Sequence, residues 1–160
     1  MPVGLGYDIH RLVKGRKLFL GGIEIPYKKG LLGHSDGDVI LHALSDALLG
    51  AVGKGDIGEY FPNEPKYKNI PSRKILKKAY QIVKDKKLKI RNVDITLIAE
   101  EPKISSYKKI IKENISGILK IPIDNINIKA TTHEGIGVIG KKEAMACFAV
   151  VSLERGGKIA

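Results

Sequence analysis

The chain reads as an α+β protein: one mixed β-sheet covered by helices on one face, a two-layer sandwich forming a single domain over residues 1–160. Three observations predict it. Residues 3–10 alternate strictly between apolar and small or polar positions, and residues 39–52 repeat apolar side chains at helical spacing. Strand-like runs and Lys-rich amphipathic runs then succeed one another to the end of the chain. A length of 160 residues can bury one sizeable core, and nothing marks a second domain, a repeat or a low-complexity tract.

In VGLGYDIH, Val3, Leu5, Tyr7 and Ile9 alternate with Gly4, Gly6, Asp8 and His10. The expectation is a strand with an apolar packed face and a chemical face, the glycines leaving room beside Asp8 and His10. KLFLGGIEIP holds two short β-rich runs joined by Gly21-Gly22, a two-residue hairpin signal. Ser35, with Asp38 three residues on, resembles a helix-capping arrangement. Val39, Ile40, Ala43, Leu44, Ala47, Leu48, Ala51 and Val52 then recur at helical spacing.

The stretch GKGDIGEYFPNEPKYKNIP is rich in Gly, Pro and Asn and reads as a long loop ending at Ser72, an expected helix N-cap. A helix over about 72–86 has Ile75, Leu76, Ala79, Ile82 and Val83 on one side. The strand VDITLIA follows, then a second Lys-rich helix across about 104–119 and a strand in NINIKATT. HEGIGVIGKK is punctuated by Gly135, Gly137 and Gly140, which could cradle phosphate or turn a hairpin. A hairpin turn is favoured, because a dinucleotide fingerprint needs a strand-to-helix context that is missing here. EAMACFAVVSLE closes the sheet.

Lys and Arg number 28 against 17 Asp and Glu, a formal charge of +11. Most of the excess is Lys scattered along the two amphipathic runs, and is expected on solvated helix faces rather than at an anion site. Aromatics make up only 6% of the chain and no nucleic-acid motif appears, which argues against a basic nucleic-acid-binding module. Cys147 is the single cysteine and sits in AMACFAVVSL, so a buried structural thiol is expected and no intrachain disulfide can form. That apolar run is too short to span a bilayer. The N-terminus shows neither an apolar signal core nor an Arg/Ser-rich leader, which points to a cytoplasmic protein, or a plastid one after leader removal.

The chemistry concentrates in three places. Asp8 and His10 are two apart on one strand, so a carboxylate and an imidazole project from one face. A third donor, His42, lies on the helical segment, and one carboxylate with two imidazoles and an open position is the pattern of a catalytic Zn²⁺ site. Asp46, four residues on, could fix the ring tautomer of His42; the other reading of His42 is a helix histidine paired with Asp46 and no metal. His34 sits in GHSDGD, where glycines and helix N–H groups could receive an anion. KATTHEGIG places hydroxyls, a histidine and a carboxylate just past a strand end, suited to phosphate and to Mg²⁺ or Mn²⁺.

Taken in order, GYDIHRL, GLLGHSDGDVILHALSDALLGA, GDIGEYFP, NVDITLIAEEPK and KATTHEGIG resemble the 2-C-methyl-D-erythritol 2,4-cyclodiphosphate synthase family of the non-mevalonate isoprenoid pathway, over essentially the whole chain. The resemblance implies a homotrimer with sheets packed around a three-fold axis and active sites between subunits. It implies Zn²⁺ on Asp8, His10 and His42, a second divalent cation, Mg²⁺ or Mn²⁺, on Glu134, and a cytidine diphosphate substrate that cyclises with release of CMP. His34 and Thr132 match the positions that steady the transition state. Asp8, His10, His34 and Ser35 would approach phosphate, and Asp56, Ile57 and Gly58 the methylerythritol hydroxyls. Phe61, Pro62, Asn63 and Glu64 resemble a substrate cover.

The same resemblance makes Ala99, Glu100, Glu101, Pro102, Lys103, Ile104 and Ser105 the cytidine pocket, with Thr131, Thr132, His133 and Glu134 beside it. Tyr7, Val138, Lys141 and Glu143 match the lining of an axial channel that can hold isoprenoid diphosphates. Val138 stands where an aromatic is frequent, and Lys141 where Arg is; Lys offers a point charge in place of a bidentate fork. His133 replaces a commoner Thr or Asn. A metal-dependent nucleotide phosphohydrolase is the alternative enzyme reading.

Overall fold

The computed structural model describes residues 1–157. Seven strands and five helices follow in the order β1 (Val3–Lys14), β2 (Leu18–Leu20), β3 (Ile23–Ile25), β4 (Lys29–Leu31), α1 (Val39–Ala51), α2 (Ile57–Tyr60), α3 (Ser72–Asp85), β5 (Leu88–Ile98), α4 (Lys108–Leu119), β6 (Ile126–Thr131), α5 (Gly137–Gly140) and β7 (Ala144–Arg155). The main sheet has the order β4-β1-β7-β5-β6, with β5 and β6 parallel and all other neighbours antiparallel. The fold is therefore the mixed-sheet α+β class expected. β2 and β3 form a separate hairpin turned by Gly21 and Gly22, both at positive φ as such a two-residue turn requires.

The longer helices α1, α3 and α4 pack on the face that carries Gly4, Gly6, Asp8 and His10, the reverse of the expectation for β1. Val3, Leu5, Tyr7 and Ile9 are the exposed row within one chain. The glycines explain the reversal. A Cβ on Gly6 would stand 1.7 Å from the Ala43 carbonyl oxygen, and one on Gly4 1.8 Å from that of Ala47. These glycines make room for the α1 backbone rather than for a ligand. The close approach brings the α1 side chains onto the sheet, where Leu44, Leu48, Met145, Cys147, Ala149 and Val151 are buried in one core. Cys147 is buried as expected, and burial pushes its thiol pKa up, away from nucleophilic use.

Other boundaries shift for local reasons. The N-cap of α1 is Asp38, whose carboxylate accepts from Leu41 N–H at 3.0 Å, while the Ser35 hydroxyl accepts from Gly37 N–H. Asp38 also accepts from Gly21 and Gly22 N–H at 3.0 and 2.6 Å, tying the hairpin to the start of α1. The long loop contains α2, capped by Asp56, and a 3₁₀ turn at Pro65–Tyr67. Pro71, not Ser72, occupies the N-cap of α3; Ser72 is the first helical residue and its side chain turns inward. Lys74, Lys77, Lys78 and Lys84 are exposed on α3, a solvated face as expected. The glycine-rich segment is the helical turn α5 and joins β6 to β7, which are not neighbours, so it does not close a hairpin. It lies over the other face of the sheet, where Ile139 packs with Ile98, Ala144 and Ala146.

Candidate active site

Asp8 and His10 extend from β1, and α1 sets His42 against them. Asp8 Oδ2 is 2.7 Å from His10 Nε2 and 3.1 Å from His42 Nδ1, and the two ring nitrogens are 3.1 Å apart. The other nitrogen of each ring is engaged elsewhere. His10 Nδ1–H donates to the Leu32 carbonyl at 2.8 Å, and His42 Nε2 meets the hydroxyls of Ser72 at 2.8 Å and Ser35 at 3.0 Å. Two imidazole lone pairs and a carboxylate oxygen thus converge on one point, an arrangement that fits a divalent metal ion and would otherwise be repulsive.

Burial raises the Asp8 carboxyl pKa, but hydrogen bonds and charge from His10 and His42 outweigh it and hold the group below its ordinary value. Burial likewise lowers His10, and the Asp8 carboxylate reverses the sign and leaves it raised. Asp46 does not orient His42: its Oδ1 accepts from Ile57 N–H at 2.8 Å and fixes the start of α2. Burial leads its causes and keeps its pKa raised.

The trio opens into a cleft of about 230 Å³ that also gathers His34, Ser35, Ile57, Gly58, Phe61 and Asn63. His34 Nε2–H donates to the Glu64 carbonyl at 2.8 Å, so the Phe61–Glu64 segment is closed against it. Tyr67, Ile70 and Ile75 complete the wall; no motif marks Tyr67 or Ile70, and Ile75 reads from its spacing only as an apolar position of α3. Asp56 points its carboxylate at Glu59 N–H as the α2 cap. A wider groove of about 560 Å³, lined by Arg16, Lys17, Phe19 and Arg73, lies behind Ser35 and Asp36 and contains none of the metal-donor trio.

A second cleft, about 210 Å³, gathers Ala99, Glu100, Pro102, Lys103, Ile104, Ser105, Thr131 and Thr132 at the ends of β5 and β6. Parallel pairing sets Ile98 opposite Thr131, and Ala99 N–H donates to the Thr131 carbonyl at 3.0 Å. Glu100 Oε1 accepts from His133 and Gly135 N–H, linking the two loops. Glu101 instead takes Tyr27 O–H at 3.0 Å and Lys142 at 2.6 Å, outside that cleft. Glu134 is exposed with positive φ and belongs to neither the donor trio nor either cleft. His133 lines a hollow with Tyr7, Ile139 and Phe148, and Val138 one with Ile9, Arg11 and Glu143. Lys141 forms the C-cap of α5. The two main clefts share no residue.

Sheet, covering helices and a one-carboxylate, two-imidazole cluster at the base of a cleft define an α+β protein with a site that fits a divalent metal ion. The YgbB family model matches residues 1–154, and the chain belongs to this family, that of the 2-C-methyl-D-erythritol 2,4-cyclodiphosphate synthases. The synthase of that name from Alkaliphilus metalliredigens is 52% identical over 96% of this chain and 97% of its own. A solved 2C-methyl-D-erythritol-2,4-cyclodiphosphate synthase in its CDP-bound form superposes with a TM-score of 0.88 at 37% identity, over 95% of this chain and 99% of that one. A Plasmodium falciparum IspF–CDP complex gives 0.86 at 42% identity, over 98% and 97%.

Proposed function

We propose that this chain converts 4-diphosphocytidyl-2-C-methyl-D-erythritol 2-phosphate to 2-C-methyl-D-erythritol 2,4-cyclodiphosphate and CMP, as a phosphorus–oxygen lyase of the non-mevalonate isoprenoid pathway. The observation that carries the proposal is the Asp8, His10 and His42 donor trio at the base of a cleft, in a chain that its family model spans almost end to end. In the reaction a 2-phosphate oxygen bonds to the β-phosphorus of the same molecule. The bond from that phosphorus to the bridging oxygen breaks, and the oxygen leaves with its electron pair on CMP. The 2-phosphate is already ionised near neutral pH, so positioning and charge neutralisation carry the rate, with no general base required.

Asp8, His10 and His42 would hold Zn²⁺, and Glu134 a second divalent cation, Mg²⁺ or Mn²⁺. Bound there, the cations would neutralise and polarise the phosphates. His34, Ser35 and Thr132 would donate hydrogen bonds to phosphate oxygens, and Asp56 with Gly58 would take the methylerythritol hydroxyls. Phe61–Glu64 would exclude water. The Ala99–Ser105 loop with Thr131 and Thr132 would hold cytidine, in keeping with the CDP complexes of the relatives.

As the family resemblance implies, each complete site would combine the metal cleft of one chain with the nucleotide cleft of its neighbour in a homotrimer; within one chain the two clefts share no lining residue. The whole chain would act as one cytoplasmic domain. Among the described residues no helix is long and apolar enough to cross a membrane. In such a trimer the hollow beside Tyr7 and Phe148 would face the axial channel, where Lys141 would offer an isoprenoid diphosphate a single point charge. Purified protein with Zn²⁺ and Mg²⁺ is expected to release CMP and cyclic diphosphate in equal amounts, with no solvent ¹⁸O in the product. A linear product carrying ¹⁸O would instead establish a nucleotide phosphohydrolase.

A further inference from the structure

His42 is gripped on both sides of its ring. Nδ1 faces Asp8 and His10, and Nε2 faces the Ser72 hydroxyl at 2.8 Å. Ser72 is fully buried and bonds to Asp36 twice: its hydroxyl to Oδ1, and its backbone N–H to Oδ2 at 2.9 Å. Asp36 is itself held by Asp38 N–H, which donates to Oδ1 at 3.1 Å.

A serine hydroxyl carries one proton, and an ionised carboxylate can only accept. The Ser72 proton therefore lies on the line to Asp36, and Ser72 can only accept from His42. His42 must then carry its proton on Nε2, which leaves the lone pair on Nδ1, the atom turned toward Asp8 and His10. Ser35 Oγ, 3.0 Å from the same Nε2 and accepting from Gly37 N–H, keeps its own proton free for another acceptor. We infer that Asp36 and Ser72 are positioning residues of the metal centre: Asp36 orients the Ser72 hydroxyl, and Ser72 holds His42 in the one tautomer that can bind a cation through Nδ1.

The inference rests on the metal-binding reading of the trio. It gives a task to the inward-turned first residue of α3, and to a carboxylate whose hydrogen bonds run to Ser72 and Asp38 rather than to the trio. Outer partners of this kind fix ring orientation and tautomer in histidine metal sites.

The test uses full-length protein, wild type and the variants Ser72→Ala, Asp36→Ala and Ser72→Thr, stripped of metal. Zn²⁺ alone is titrated against a chromophoric competitor, and ¹⁵N NMR of the His42 ring reports its tautomer in the apo state. Ser72→Ala is expected to weaken Zn²⁺ binding roughly 10–100-fold and to mix the tautomers. Asp36→Ala frees the Ser72 proton to point at His42, so Nδ1–H should gain population, with a comparable loss of affinity. Ser72→Thr keeps the hydroxyl and should restore both readouts.

A purely structural role for Ser72 would lower the apo melting temperature and leave tautomer and Zn²⁺ affinity unmoved, which overturns the inference. If Ser72→Ala does not fold, Asp36→Ala, at a half-buried position, decides the matter on the same two readouts. If wild-type protein takes up no Zn²⁺, the metal reading fails; a mixed His42 tautomer in the wild type would separately overturn the positioning role.

Discussion

At the scale of single residues, His42 is held from both sides of its ring: Nδ1 faces Asp8 and His10, and Nε2 faces the hydroxyls of Ser35 and Ser72. The D-x-H pair declares itself because strand periodicity alone puts Asp8 and His10 on one side. His42 came from its helix and from the family resemblance. Asp46 was a reasonable partner for His42 at one helical turn, yet the backbone of Ile57 takes its carboxylate. The actual partners, Ser35 and Ser72, lie 7 and 30 residues from His42, and Asp36 acts through a serine. Ser35 precedes the N-cap of α1 and Ser72 opens another helix, so helical periodicity joins neither to His42 and only tertiary folding reveals them. The division of labour has a direct consequence for mutants. His42→Ala should abolish bound Zn²⁺ and activity while far-ultraviolet circular dichroism is retained, since the α1 core is built by its Leu and Ala neighbours. Thr132→Ala should keep full Zn²⁺ and lose roughly 10²–10³ in kcat, the size expected for removing one hydrogen-bond donor from a developing charge. Metal analysis beside steady-state kinetics checks both, and loss of Zn²⁺ in Thr132→Ala would contradict the assignment.

At the scale of elements, helix and strand order was readable while the packing side of β1 was not. Alternation fixes which residues share a face but leaves open which face meets the helices. Gly4 and Gly6 decide it, through backbone contacts that no apolar count reflects. Gly6→Ala should therefore cost about 1–3 kcal/mol or more by urea denaturation and weaken metal binding, because β1 and α1 must separate. A stability equal to wild type would mean that the two backbones are not in contact.

Asp38 joins a second pair of elements and brings a pH dependence. Burial, followed by the charge of Asp36, raises its pKa from 3.8 to about 6, against the pull of the Leu41, Gly22 and Gly21 N–H groups. A carboxyl raised on folding binds its proton more readily in the native state, so its ionisation opposes folding above the native pKa. The cost is complete above about pH 6, shrinks as pH falls, and is gone below 3.8, a swing of about 3 kcal/mol. With chelator present, the stability of wild type relative to Asp38→Asn should accordingly rise between pH 7 and pH 4. A flat difference would show that Asp38 titrates normally.

At the scale of the whole molecule, a row of apolar side chains is left facing outward. Leu5 is 64% exposed, Tyr7 46% and Phe148 and Val150 40% each, on adjacent strands that pair Leu5 with Val150 and Tyr7 with Phe148. A contiguous apolar face of this kind calls for a partner, and a three-fold assembly would cover it with copies of itself while setting one chain's metal cleft against the next chain's nucleotide cleft. Leu5→Lys should then yield monomers by analytical ultracentrifugation, and those monomers should bind Zn²⁺ yet turn over no substrate. A sharper outcome follows from mixing two inactive proteins, His42→Ala and Thr132→Ala, and reassembling them in equal amounts. In the proposed cyclic trimer each site would take its metal half from one chain and its nucleotide half from the neighbour, so roughly one site in four would combine two intact halves. Activity should return toward that fraction. If instead both halves of each site came from the same chain, no mixture could recover any.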